Sequence, residues 1–124
     1  WSSDVCSSDL LGDNFSDKWS NIIKLKKIYG GDWILKGPGT LVLEQKRLWV
    51  NLYSNGWLGT AGMGDVLTGI IAGLWSSGSK TPLRSSVFLQ TKCARYLISQ
   101  DGAGITAGRL SELLGFNIGL IQGA

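Results

Sequence analysis

In the segment NGWLGTAGMGDVLTGIIAGL, residues 55–74, one acid stands alone among apolar and small residues: Asp65. Gly56, Gly59, Gly62 and Gly64 precede it, and the segment holds no lysine or arginine. Glycines let a backbone come close to a ligand and take conformations closed to other residues. Successive N–H groups at a helix start form an anion site that needs no cationic side chain. An acid inside such a nest repels a bound phosphate unless it serves another partner. A hydroxyl fits that role: Asp65 takes its proton as the oxygen attacks phosphorus, with metal ions offsetting the charge. The other reading of the same residues is that Asp65 caps a buried helix and the glycines only pack.

Two familiar phosphate motifs are excluded. A dinucleotide fingerprint needs G-x-G-x-x-G between a strand and a helix. Gly62-Met63-Gly64 is followed by Asp65, Val66 and Leu67, so the third glycine is missing. The other glycine pair, Gly37-Pro38-Gly39, opens a strand instead of a helix. A P-loop needs Gly-Lys-Ser/Thr, and Gly64-Asp65 puts an acid where that lysine belongs.

The elements around these residues are set by periodicity and stop signals. DKWSNIIKLKKIYGG reads as an amphipathic helix capped by Ser16 or Asp17, with Trp19, Ile22 and Ile23 on one stripe, Tyr29 alongside, and Gly30-Gly31 as the stop. WILKG (33–37), TLVLE (40–44) and RLWVNLY (47–53) read as strands, the last two parted by a Gln45-Lys46 turn. A helix is expected from about Asp65 to Trp75, with Val66, Leu67, Ile70, Ile71 and Leu74 at helical spacing. After a Ser/Gly loop comes a long helix with Pro82 in its first turn, where the missing N–H is harmless. Thr106 caps a last short helix to Leu114. The order is that of an α/β protein with helices covering a sheet.

Bulk composition narrows the function classes. At 124 residues the chain is one domain at most, and 44% hydrophobic with 17% charged residues argues against disorder. A net charge of +3 is too mild for a nucleic-acid footprint. Lys24, Lys26 and Lys27 cluster on a short helix as a solvated face. Cys6 and Cys93 make no disulfide framework, and the absence of histidine argues against zinc and removes Ser-His-Asp and Cys-His schemes. No apolar run nears the ~20 residues that span a bilayer, and no signal-peptide pattern opens the chain, so the expected setting is reducing and cytoplasmic. The opening WSSDVCSSDL lacks Met and shares no periodicity with the residues after it. Residues 1–10 are expected to be non-native sequence, with 11–124 the C-terminal part of a domain whose first half is missing.

With these motifs in place, a resemblance becomes specific. ILKGPGT at 34–40, AGMGDVLTGIIAGL at 61–74 and ITAGRLSELL at 105–114 are similar, in that order, to the C-terminal signature of ribokinase-like enzymes. Among these they most resemble the ADP-dependent NAD(P)H-hydrate dehydratases. The resemblance covers nearly everything from residue 17 onward and implies the C-terminal part of a three-layer αβα sandwich.

Carried over residue by residue, it implies nucleotide contacts from Lys36, Gly37, Pro38, Gly39, Thr40 and Gly64. The anion hole is then formed by Ala61, Gly62, Met63 and Gly64, and Asp65 faces the hydrated dinucleotide as base. The substrates implied are hydrated NADH or NADPH together with ADP (ATP in some relatives), with Mg²⁺, and the products include AMP. The full-length protein is expected to be a homo-oligomer, fused to or working with an NAD(P)H-hydrate epimerase, with neither nucleic acid nor membrane as partner. The competing expectations are a ribokinase-like kinase of a vitamin precursor or sugar, and a non-catalytic nucleotide-binding remnant. The stretch NLYSNGWLG departs from the N-x-x-G-N-P-G common in relatives, with Trp57 and Leu58 where Asn-Pro stands.

Overall fold

A computed structural model describes residues 11–12, 17–53, 56–102 and 104–122. The expectation for residues 1–10, and Ser16 as a cap, lie outside them. The chain divides into two compact units between residues 54 and 55.

The first unit is one helix on a three-stranded sheet. Helix α1, Lys18–Tyr29, starts at Asp17, whose carboxylate accepts the N–H groups of Trp19 and Ser20, both at 3.0 Å. It ends at Gly30, whose φ of 68° is open to glycine and unfavourable for most other residues. Strands β1 (Trp33–Leu35), β2 (Thr40–Glu44) and β3 (Arg47–Asn51) form an antiparallel meander in that order. The register sets Trp33 opposite Leu43 and Leu35 opposite Leu41. With a side-chain period of two, these four share one face, and Ile22 of α1 packs with them as the core.

Two expectations are corrected in this unit. The buried face of α1 is Asn21, Ile22 and Leu25, whereas Trp19, Ile23 and Tyr29 are 52%, 58% and 53% exposed. The stripe that faces the sheet runs Lys18, Asn21, Ile22, Leu25, at i, i+3, i+4 and i+7. Its two polar members hide it from a purely apolar pattern. Strand β1 also stops at Leu35 instead of Gly37, because Gly37 and Gly39 take φ of 121° and 63° and turn the chain. The turn at Gln45-Lys46 is as expected, with φ of 51° and 64° at the two residues. Two successive left-handed residues match the twist of a tight hairpin.

The second unit is helical. A 3-10 turn, Gly56–Gly59, leads to helices α2 (Met63–Ser76), α3 (Pro82–Asp101) and α4 (Ala107–Gln122), which pack in pairs. Its core joins Met63, Ile70, Leu89, Cys93, Ala94, Leu97, Ile105, Leu110 and Leu114. Helix α2 begins two residues before the expected Asp65, because Gly62 serves as its N-cap. Pro82 stands in the first turn of α3 as expected. Thr106 accepts the Arg109 N–H at 3.3 Å and starts α4, which runs on past Leu114 to Gln122. A single glycine at 115 costs a helix only about 1 kcal/mol and supplies no stop by itself.

Candidate functional site

The start of α2 is built from backbone. Thr60 turns the chain: its N–H and hydroxyl both reach the Trp57 carbonyl, at 3.2 and 2.9 Å. Gly62 then takes a left-handed φ of 83° with no capping side chain. Its carbonyl accepts the Val66 N–H at 3.0 Å and closes the first helical turn. The Met63 N–H donates to the Thr60 carbonyl at 3.2 Å, and the Met63 side chain is buried in the core. Met63 therefore enters differently from the anion-hole expectation: its amide is engaged and its side chain anchors the loop. The N–H groups of Ala61, Gly62, Gly64 and Asp65 meet no backbone acceptor among the described residues.

Asp65 is exposed, at the third position of α2. Its carboxylate makes no hydrogen bond among the described residues. The reading of Asp65 as a mere cap thus lacks the bond a cap makes. An acid at this position gains from the positive end of the helix, while its oxygens stay open to a substrate.

Two supports hold this turn, from Gln90 and Ala107, neither of them expected from the sequence. Gln90 of α3, buried, donates from Nε2 to the Met63 carbonyl at 2.8 Å. A glutamine within the stripe Leu83, Val87, Gln90, Ala94, Leu97 is the signal that betrays it, since a polar group in a buried register needs a partner. The second support is steric. A Cβ placed on Gly62 would sit 2.9 Å from the Ala107 Cβ at the start of α4.

The other predicted loop lies in the first unit. Lys36 follows the last residue of β1 and is exposed. Gly37-Pro38-Gly39 makes the turn into β2. The Thr40 hydroxyl donates to the Gly37 carbonyl at 3.1 Å, and Lys18 Nζ donates to the carbonyls of Pro38 at 3.1 Å and Gly39 at 2.7 Å. Partial burial pushes the Lys18 ammonium below its ordinary pKa. Lys18 is the other residue missed by sequence reasoning. Its signal is a cation in the first turn of a helix, where the dipole disfavours it.

The helices and the three-stranded sheet make this an α/β protein. The sequence pattern of the NAD(P)H-hydrate dehydratase family matches residues 9–115, and the chain belongs to that family. Over 73 residues it is 44% identical to the bifunctional NAD(P)H-hydrate repair enzyme of Vibrio cholerae, covering 59% of this chain and 14% of that protein. It is 33% identical over 115 residues to the bifunctional NAD(P)H-hydrate repair enzyme of Leishmania infantum, covering 84% of this chain and 20% of that one. The ADP-dependent (S)-NAD(P)H-hydrate dehydratase of Neisseria meningitidis is 34% identical over 97 residues, or 77% of this chain and 33% of that protein. The chain thus spans a third or less of the length of these relatives. No solved structure matches it at a significant level.

Proposed function

We propose that this chain carries part of the machinery of an ADP-dependent dehydratase that repairs hydrated NADH and NADPH. Hydration leaves a hydroxyl on the ring carbon beside the nicotinamide nitrogen, and hydroxide is a poor leaving group. Asp65 takes the proton of that hydroxyl as its oxygen attacks the β-phosphorus of ADP. AMP departs, and the ring now bears a phosphate ester. The nitrogen lone pair then expels inorganic phosphate, a neighbouring C–H proton is lost, and the ring double bond returns.

The observation that carries this reading is the start of α2, which no side chain caps and where, among the described residues, open backbone N–H groups and an exposed, unbonded carboxylate occupy the same turn. Amides fixed before the reaction stabilise charge on a transferring phosphoryl group without reorganising. Lys36 and the Gly37–Thr40 turn serve the nucleotide, Lys36 as a point charge. Among the described residues no cluster of His, Cys, Asp or Glu could hold a metal ion. The Mg²⁺ expected with ADP would be held by the nucleotide's phosphate oxygens and neutralise their charge. The names of the bifunctional relatives support a second repair activity beside this one, with an epimerase of the same substrates as our reading.

Asp65→Asn in the protein carrying this chain tests the assignment. General-base help amounts to ~10²–10⁴-fold, so regain of NADH absorbance from its hydrate should slow by that factor, with ADP affinity little changed. Near-normal turnover removes Asp65 from the base role. A phosphorylated product that persists, without NADH, replaces the dehydratase reading with that of a kinase.

A further inference from the structure

The Gly37–Gly39 turn has three carbonyl oxygens, and all three are taken. Gly37 gives its oxygen to the Thr40 hydroxyl, while Pro38 and Gly39 give theirs to the single Lys18 ammonium. A trans peptide plane points its C=O and N–H in opposite directions. Holding the Pro38 carbonyl against Lys18 therefore turns the Gly39 N–H to the other side, while the Thr40 N–H is committed to the Asn51 carbonyl by the β2–β3 register. Pro38 has no N–H to contribute. The turn is left with carbonyls drawn toward α1 and one donor, the Gly39 N–H, directed away from it, which is the polarity an anion requires.

Lys18 is placed for this by the fold of its own unit. It belongs to the sheet-facing stripe of α1, one turn before Ile22, which packs on Leu41 and Leu43. Asp17 fixes the start of the helix and so the height of Lys18 over the turn. The first turn of a helix is an unfavourable place for a cation, and burial lowers the Lys18 pKa further. Two carbonyl acceptors 21 and 20 residues away in sequence offset those penalties.

We propose that Lys18 is a positioning residue for nucleotide phosphate: its ammonium clasps the Pro38 and Gly39 carbonyls, so that the turn presents the Gly39 N–H to a nucleoside diphosphate. The inference rests on the reading of residues 36–40 as a nucleotide loop. Lys18 touches the loop and not the ligand, which separates its role from that of Lys36.

ADP binding by titration calorimetry at two salt concentrations, on wild type, Lys18→Met, Lys18→Arg and Lys36→Met, tests this. A lysine on phosphate adds a salt-screened attraction; one that only orients peptides does not. Lys18→Met should weaken ADP about tenfold, the loss of roughly one charge-assisted hydrogen bond, with the salt dependence of wild type. Lys36→Met should weaken binding and flatten the salt dependence. Lys18→Arg, which keeps two donors, should recover most of the affinity. Unchanged binding in Lys18→Met overturns the clasp while leaving the nucleotide reading intact. A flattened salt dependence in Lys18→Met overturns it in favour of direct phosphate contact. Absence of ADP binding by wild type removes the nucleotide reading and the clasp with it. Should Lys18→Met not fold, Lys18→Gln is read by the same criteria.

Discussion

At the scale of single residues, Gly62 shows how tightly the start of α2 is specified. Its φ of 83° disfavours any side chain, and a Cβ there would meet the Ala107 Cβ at 2.9 Å. A left-handed non-glycine residue costs about 1–2 kcal/mol before any clash, and the Ala107 contact adds to it. Gly62→Ala should destabilise the protein by about 2–3 kcal/mol in denaturant unfolding. Pairing it with Ala107→Gly relieves the steric part alone, so a double-mutant cycle should give a favourable coupling. A Gly62→Ala variant as stable as wild type would show that the turn can shift without loss, and the preorganised amides would lose their support. Asp65 and the glycines before it were readable in the sequence as a candidate site. The bond that fills the Met63 N–H was not, because it depends on how Thr60 turns the chain.

Among the elements, α1 carries the clearest dependence on pH. Asp17 accepts the Ser20 hydroxyl at 2.6 Å and the two amides of the first turn. The Ser20 hydroxyl first, then the Ser20 and Trp19 amides, hold its carboxyl below the ordinary value of 3.8. A carboxyl with a depressed folded pKa stabilises the fold above its unfolded value, and that contribution is lost as pH falls through the folded one. Asp17→Ala should therefore lower the thermal midpoint at neutral pH. The gap to wild type should close as pH falls below about 3.8; a gap that persists in acid would assign the effect to something other than the cap. The cap and the Gly30 stop are local chemistry: the sequence located the stop and narrowed the cap to Ser16 or Asp17. The buried stripe escaped it, since Lys18 and Asn21 look like solvated residues until the sheet beneath them is known.

At the scale of the whole molecule, each of the two units has an apolar cluster of its own among the described residues. In the first, Ile22 closes on Leu41 and Leu43; in the second, Leu110 is fully buried among three helices. Leu110→Ala removes side-chain volume from a core with no exposed edge at that point, and should cost about 2–5 kcal/mol. Denaturant titration measures it, and a loss below about 1 kcal/mol would mean that α4 collapses into the gap. Cys93 sits in the same core, where burial raises its thiol pKa, so it acts as a small apolar residue. No helix among the described residues is long and apolar enough to cross a membrane.

The sequence by itself determined what is local: the α/β order of elements, the Gly30 stop, the cap at Thr106, the Gln45-Lys46 hairpin, and the glycine-to-acid run at Asp65. Each of these is set by neighbours within about one helical turn or one hairpin, where backbone sterics and side-chain hydrogen bonds act directly. Tertiary structure alone decided which polar residues are spoken for. Lys18 on the Pro38 and Gly39 carbonyls, and Gln90 on the Met63 carbonyl, join residues 20 to 27 positions apart. Such partners meet only after the apolar faces have packed, because a buried donor takes whichever acceptor the packing brings within reach.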